Sequence, residues 1–295
     1  MSKKKNPKVT VLIPCYNREN FVKETIDSAL SQSYPNLEVV AVDDGSTDST
    51  PQILKSYGSR IRVIEHSGRV NKGQSAAINL AMRSTESEYV AILDSDDVWK
   101  KDKIRRQIDF LEQNKDYGLV YVNGLAIDEK GRELYKLYKP DHVEMNSPER
   151  LLLDCYLFVP SCSLVRRSAF TAAGEFDENL RSAQDHDMAV RLAEVTKFKY
   201  IDETLWYYRR HPDTQSIKHS RRRWDAGFVI LDKACKRRGY SSGVRRKRLA
   251  VLNFRLGQCL ASERAYLKAG FHFMLSGILD PVRAVKVVLH IEKAN

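Results

Sequence analysis

The 295-residue sequence predicts an α/β protein, with a Rossmann-like, mostly parallel central sheet and flanking helices, followed by a basic helical C-terminal region. Three observations predict it. Short runs of apolar and β-branched residues alternate with helical patterns over the first hundred residues, in the order β-α-β-α-β-α-β, which suits parallel strands joined by crossover helices. Two of these strands run directly into clusters of aspartate. The net charge of +11 is also unevenly spread: from Arg221 onward there are 17 Lys+Arg against 5 Asp+Glu, leaving 32 basic and 33 acidic groups before it. The composition shift sets the expected division, residues 1–220 as the α/β domain and 221–295 as a basic helical region.

The elements follow in order. KVTVLIPCYN (8–17) is a β-branched, apolar run ending near Pro14, as a buried strand does. NFVKETIDSALSQ (20–32) sets Phe21, Val22, Ile26, Ala29 and Leu30 at helical spacing and stops before Tyr34-Pro35. LEVVAVDDGS (37–46) is a second strand, and STPQILKSYG (49–58) a helix opened by a Ser or Thr cap. IRVIEH (61–66), GQSAAINLAMRS (73–84) and YVAILD (89–94) add a strand, a helix and a strand. KDKIRRQIDFLEQN (101–114) is an amphipathic helix with Ile104, Ile108 and Leu111 on one face. GLVYVNGLAID (118–128) and FVPSCSLVRR (158–167) read as strands, AAGEFDENL (172–180) as a turn, QDHDMAVRLAEV (184–195) as a helix and FKYIDETLWYYRRH (198–211) as a last strand. After Arg221 nearly everything reads as helix, with 244–275 as one segment.

No apolar run approaches the roughly 20 residues of a membrane span, and the lysine-rich start leads into a strand rather than a signal sequence. The five cysteines are odd in number and lack a C-x-x-C pair, so reduced thiols in a cytoplasmic compartment are expected and a zinc site is not.

In open α/β sheets, ligands bind beyond the carboxyl ends of the strands. Those ends are Pro14-Cys15-Tyr16-Asn17, Asp43-Asp44-Gly45-Ser46, the loop from His66 to Gly73, and Asp94-Ser95-Asp96-Asp97. The last places three carboxylates in four positions, where they raise one another's pKa and require a cation. A hard divalent ion, Mn²⁺ or Mg²⁺, with positions left for phosphate oxygens answers that need. A helix-loop-helix calcium site is excluded, because its Gly and distal Glu are missing. The competing reading is an acidic turn that caps the next helix. VDDGSTD is likewise either a tight turn capping through Ser46 or Thr47, or a carboxylate that accepts hydrogen bonds from a ring N–H or a ribose hydroxyl.

The stretch from VTVLIPCYNRENFV to VDDGSTDST, then NKGQSAAINLA, YVAILDSDDVW, GEFDENL, QDHDMAVRLAE and YYRRHPDTQS resembles the family 2 glycosyltransferases over roughly residues 8–216. The order of the motifs carries the resemblance. It implies the GT-A fold and inverting transfer of a sugar from a nucleotide-diphosphate sugar to an acceptor hydroxyl. It implies further that Pro14, Tyr16 and Asn17 lie along the nucleotide, that Asp44 meets the base, and that Asn71, Lys72 and Gly73 flank base and phosphate. Asp94 and Asp96 match the D-x-D pair that holds Mn²⁺ or Mg²⁺, with Asp96 the more direct ligand. Asp185 matches the general base; Arg209 and His211 match an element folding over diphosphate and metal, with His211 a further metal ligand. Such a transfer needs a base for the acceptor proton and a cation for the departing diphosphate. Asp187, two residues on, is the competing base. The sequence departs from the family at Gln184, where Glu is usual, and at Glu175, where a second Gly is common.

The tail carries three basic clusters, Arg221-Arg222-Arg223, Lys236-Arg237-Arg238 and Arg245 to Arg248. They suit either a solvated helical face or a peripheral anionic membrane surface on the cytoplasmic side, with Leu249, Val251, Leu252 and Phe254 available for burial. No nucleic-acid fold or aromatic-basic motif is present, so nucleic acid is not expected as a partner. The expected partners are thus a nucleotide-diphosphate sugar, a glycan or lipid-linked acceptor in surface polysaccharide synthesis, and that membrane surface. Two alternatives remain at this point: a non-catalytic binding module on the same fold, and a sugar-phosphate nucleotidyltransferase, which predicts a Gly- and Arg/Lys-rich phosphate loop where PCYNREN stands.

Overall fold

The computed structural model describes residues 6–144, 146–153, 159–212 and 220–288. Strand β1 (Val9–Cys15) is buried along its whole length, the state of a strand paired on both edges and covered on both faces. β2 (Leu37–Asp43) and β4 (Tyr89–Ile92) flank it in parallel, and β3 (Arg62–Glu65) pairs with β2. Pro14 falls beyond the last β1–β4 pair, Leu12 with Ile92, where a strand can spare an N–H donor. The crossovers are helices α1 (Val22–Leu30), α2 (Thr50–Ser56) and α3 (Gln74–Arg83). α1 buries Val22, Ile26 and Ala29, and α3 buries Ala76, Ala77, Ile78 and Ala81. Each large apolar side chain so covered contributes about 1.5–3 kcal/mol. Parallel pairing sets the carboxyl ends of β1, β2 and β4 along one edge of the sheet.

Next come β5 (Val98–Trp99), α4 (Lys103–Gln113), β6 (Tyr117–Ile127), β7 (Glu133–Lys136), α5 (Pro148–Leu153), α6 (Val159–Cys162), β8 (Ser163–Arg166), α7 (Arg167–Ala173), α8 (Gln184–Val195) and β9 (Lys197–Arg209). Among the described residues, nine strands form one sheet in the order β3-β2-β1-β4-β8-β6-β9-β5, with β7 on β6. β8 runs antiparallel to β4 and β6, and β9 runs parallel to β6. The end of β9 pairs with β5, Val98 with Tyr207 and Trp99 with Trp206. That short ladder carries residues 209–211 to the acidic turn after β4.

Of segment 158–167, expected to be a strand, the described residues form a short helix, Val159–Cys162, and then the strand Ser163–Arg166, with Arg167 opening α7. Pro160 suits a first helical turn, where no N–H is needed. Ser161 then serves the turn after β4, its Oγ accepting the Asp94 N–H at 3.1 Å and its carbonyl accepting Trp99 Nε1 at 2.8 Å. β5 and β7 were not expected, since the first has two residues and the second is exposed at every position.

The described chain divides after Ser147 and after His211 into two compact units, Pro148–Leu153 belonging with the C-terminal one. That unit adds α9 (Ser220–Arg237), α10 (Ser242–Ser262), α11 (Tyr266–Leu279) and α12 (Pro281–Val288). Leu256, Leu260 and Ala269 form its core, with Phe228, Ala261 and Ala265 packed against it. The segment 244–275 is therefore two helices rather than one. The turn is made at Arg264, whose φ of 62° is left-handed, and SERA contains no Gly, Pro or Asn to announce it. Contacts between the two helices fix the fold-back: Ser276 Oγ donates to the Ala250 carbonyl at 2.8 Å, and His272 Nδ1 lies 2.8 Å from Asn253 Oδ1. Among the described residues Cys15, Cys162, Cys235 and Cys259 are in no disulfide, and burial pushes the Cys15 thiol far up. Among the described residues no helix is long and apolar enough to cross a membrane.

Lys103, beneath the acidic turn, is wholly buried, its Nζ donating to Gln107 Oε1 at 2.9 Å and lying 4.1 Å from the Trp99 ring centroid. Burial lowers its pKa from 10.5 to about 7. Between those values the unfolded chain binds a proton here that the folded chain does not, so this group makes stability rise with pH across that window. Measured by urea denaturation, wild type should gain on Lys103→Met by about 1.4 kcal/mol per pH unit between the two values. A stability difference that ignores pH would show that Lys103 keeps an ordinary pKa.

Candidate active site

The first two strand ends are tied to each other. Asn17 adopts a left-handed φ of 51°, tolerable for Asn. Its Oδ1 accepts the Thr47 N–H at 2.8 Å, and its own N–H donates to Ser46 Oγ at 3.0 Å. Buried Asp44 accepts the N–H groups of Lys72 and Gly73 at 2.7 and 2.8 Å, one on each oxygen. His66 Nε2 stands 3.4 Å from its Oδ1. Gly45 makes the approach of this loop possible: at φ 77°, an added Cβ would meet the backbone of Arg69, Val70 and Asn71 at 2.8 Å. The result is a cradle over β1 and β2 with Tyr16, Asn71 and Lys72 exposed and Pro14 buried beneath. Asp44, expected to meet a base, holds the 66–73 loop in place.

The three carboxylates after β4 have three different surroundings. Asp94 accepts Gln74 Nε2 at 2.7 Å. Its pKa is raised to about 7, first by burial, then by the charges of Asp96 and Asp185. Asp96 has two partners on one oxygen: Arg18 Nε and His211 Nε2 each lie 3.0 Å from its Oδ2. Burial alone would raise the Asp96 carboxyl, but the His211 hydrogen bond and the Arg18 guanidinium hold it below the usual carboxylate range. Asp97 turns inward, its Oδ1 accepting the Arg209 N–H at 3.0 Å and its carbonyl accepting Thr25 Oγ1 at 2.8 Å. Burial and its two acidic neighbours raise it well above the usual range.

The start of α8 faces Asp94. Ala183 precedes it in a left-handed conformation, φ 58°, a strained state for a residue with a Cβ. Gln184 Nε2 donates to Gln74 Oε1 at 2.5 Å, so the two glutamines link α8 to Asp94. Gln184 Oε1 is buried without a partner. Asp185 is part-exposed, with Oδ1 accepting the His186 N–H at 2.9 Å. Asp187 is buried, and Arg191 donates to its Oδ2 through Nε at 2.9 Å and Nη2 at 2.7 Å. Arg191 Nη1 continues to the carbonyls of Ala173 and Glu175 at 2.8 and 2.9 Å. Glu175 itself pairs at the surface with Arg83.

Of the residues selected from sequence, Asp94, Asp96, His211 and Asp185 come together, beside the cradle of Asn17, Asp44 and residues 71–73. The Arg209 guanidinium is spent within the fold. It lies 2.5 Å from Glu24 Oε2, donates to the Asp96 carbonyl at 3.0 Å, and stacks 5.2 Å from the Phe21 ring centroid. Arg18 was missed by sequence reasoning. Its Nη1 also donates to the Tyr16 and Asn17 carbonyls at 3.3 and 3.0 Å, so it bridges the β1 end and Asp96. The signal was available: it is the cation of CYNREN, directly after a strand end facing an acidic turn.

Among the described residues, no three His, Cys, Asp or Glu side chains stand close enough together to hold a metal ion as they are. The donor chemistry nevertheless fits one. Two carboxylates and an imidazole suit Mn²⁺, and the Asp94 carboxyl is raised by burial and by the neighbouring charges of Asp96 and Asp185. Asp94, Asp96 and His211 would hold the ion, with Arg18 giving up its place on Asp96.

The two aspartates of α8 should separate by stability. Asp187→Ala leaves Arg191 buried without its carboxylate and is expected to cost about 3–5 kcal/mol. Asp185→Ala should change stability by no more than about 0.5 kcal/mol. Denaturant melts of the two variants check this, and equal losses would count against the division of roles.

Residues 10–173 match the sequence profile of glycosyl transferase family 2. An uncharacterized glycosyltransferase of Rickettsia typhi is 35% identical over 213 residues, 70% of this chain and 65% of the relative. The chondroitin synthase of Escherichia coli is 29% identical over 238 residues, 80% of this chain but 34% of that protein. This chain thus spans less than two thirds of either relative. TarS 1–349 of S. aureus, solved with UDP-GlcNAc, superposes with a TM-score of 0.70 at 20% identity, over 92% of this chain and 80% of that one. The mannosyltransferase PcManGT of Pyrobaculum calidifontis, solved with GDP-Man and Mn²⁺, gives 0.63 at 19% identity over 98% and 82%. The fold is that of the GT-A glycosyltransferases, and the chain belongs to glycosyl transferase family 2.

Proposed function

We propose that the protein transfers a sugar from a nucleotide-diphosphate sugar to an acceptor hydroxyl with inversion, in a reaction that depends on a divalent cation. The observation that carries this reading is the convergence of Asp94, Asp96 and His211 on one side and Asp185 on the other. Asp185 sits near enough to raise the Asp94 pKa by its charge. The structures of TarS with UDP-GlcNAc and PcManGT with GDP-Man and Mn²⁺ support a nucleotide-sugar donor and the cation.

In this reading the nucleotide lies along Pro14, Tyr16 and Asn17 and the 71–73 loop, whose shape Asp44 maintains. Asp94, Asp96 and His211 would hold a divalent ion, which would supply positive charge for the departing diphosphate. Arg18, released from Asp96, is a second cation within reach of that charge, while Arg209 fixes the turn from behind. Asp185 accepts the acceptor hydroxyl's proton. Asp187 is excluded from that role by its buried bond to Arg191. The acceptor is proposed to be a growing surface polysaccharide or lipid-linked glycan, supported by the chondroitin and hyaluronan synthases among the relatives. The basic C-terminal unit is proposed to bring the protein to the cytoplasmic face of a membrane.

Thermal-shift titration with UDP and GDP, with and without Mn²⁺, tests the donor site, because a ligand of the native state raises Tm. The metal-dependent part of the shift should disappear in Asp96→Ala; its persistence would move the metal elsewhere. Turnover, measured well below the melting range, tests the base. Asp185→Asn should lose about 10²- to 10⁴-fold with donor affinity little changed, and Asp187→Asn much less. The reverse order would overturn the assignment.

A further inference from the structure

We propose that the exposed apolar face of α11 and α12 inserts into an anionic lipid surface. It rests on the membrane reading of the C-terminal unit proposed above, names the surface that inserts, and is independent of the transfer reaction. Eight of the large apolar side chains exposed among the described residues fall between Tyr266 and Val285. On α11, Leu267, Phe271, Met274 and Ile278 follow one another at helical spacing and form a single stripe. Leu267 is 94% exposed and Ile278 68% exposed. Val282 and Val285 extend the apolar surface onto α12. A contiguous patch of this kind marks an interaction site.

Charge selects the occupant. Lys268 is the one residue of α11 with a formal charge at neutral pH, and Arg283 and Lys286 lie on α12. Arg246 donates through Nη1 to the Leu279 carbonyl at 2.8 Å, which sets the basic start of α10 beside the end of α11. Arg245, Arg246 and Lys247 are all exposed there, whereas Arg248 is buried and donates to the Leu153 carbonyl at 2.8 Å. A second copy of so basic a unit meets this face with like charge, whereas an anionic bilayer meets it with opposite charge. An apolar stripe bordered by Lys and Arg is the form of a helix lying in a membrane interface.

The apolar neighbours of the 245–248 cluster do not supply this surface. Leu252 is buried, and Phe254 packs its ring 5.6 Å from that of Phe273. A groove of ≈ 370 Å³ between Phe254, Phe273, Gly277, Arg283 and Ala284 adjoins the stripe, since Phe273 and Gly277 neighbour Met274 and Ile278 on α11. It offers an apolar recess with Asp280 and Arg283 both in its lining, on the scale of a small-ligand site.

The test uses the full chain and vesicles of phosphatidylcholine with or without phosphatidylglycerol. Wild type should float with the anionic vesicles and far less with neutral ones. Leu267→Asp with Phe271→Asp should lower the partition coefficient by about tenfold or more per side chain, and keep the UDP-dependent thermal shift if that donor reading holds. Circular dichroism and the melting curve of the variant establish folding in either case, so failure of donor binding does not bear on the membrane result. Met274→Trp should shift its added emission to the blue on anionic vesicles and retain that shift in salt that screens surface charge. Equal flotation by the doubly substituted variant, or an unshifted Trp emission, would overturn the proposal. So would a wild-type dimer that the double substitution disperses, since the face would then be covered by a second copy.

Discussion

The active edge depends on how three adjacent carboxylates are kept from repelling one another apart. The fold gives each a separate answer. Asp97 is buried against the Arg209 N–H, and burial with its two acidic neighbours raises its pKa. Asp96 pairs with the Arg18 guanidinium and is hydrogen-bonded by His211. Asp94 keeps one amide partner, and burial with the charges of Asp96 and Asp185 raises its pKa. Each answer draws in a distant part of the chain: Arg18 from the end of β1, Arg209 and His211 from the end of β9, Gln74 from the start of α3. Much of the tertiary arrangement around the site is therefore a response to charge concentrated in one turn.

That arrangement separates groups that can react from groups that hold position. Both Asp44 oxygens, Asn17 Oδ1 and the Arg209 guanidinium are engaged by backbone or by other side chains, and so maintain the outline of the cradle. Asp185 and Asp94 keep unshared capacity where the two sides of the site meet. The strained residues follow the same division, since Asn17, Arg69 and Ala183 all take left-handed conformations in the loops that border it.

The fold of the first ninety residues was legible because each buried strand carries a continuous β-branched run and each crossover helix a 3.6-residue repeat. The acidic turn was legible because charge beside an apolar strand has no structural use. What stayed hidden depended on contacts distant in sequence. Asp185 and Asp187 cannot be told apart by position, and only the Arg191 guanidinium reaching to residues 173–175 separates them. The two-residue strand β5 has no pattern of its own and exists because β9 pairs with it. The break between α10 and α11 falls in SERA, where packing of one helix on the other outweighs local preference, and the apolar face it exposes is invisible without it.

Gly45 has no functional group, yet it sets how closely the loop after β3 may approach the end of β2. Any side chain there would strike the backbone of residues 69–71 and require a left-handed conformation as well. Either change would pull the amides of Lys72 and Gly73 off the Asp44 carboxylate. Chemical inertness is thus a poor guide to evolutionary freedom in this chain. A lineage could exchange the exposed side chains of Asn71 or Lys72 without touching that contact, while Gly45 is fixed by the space available.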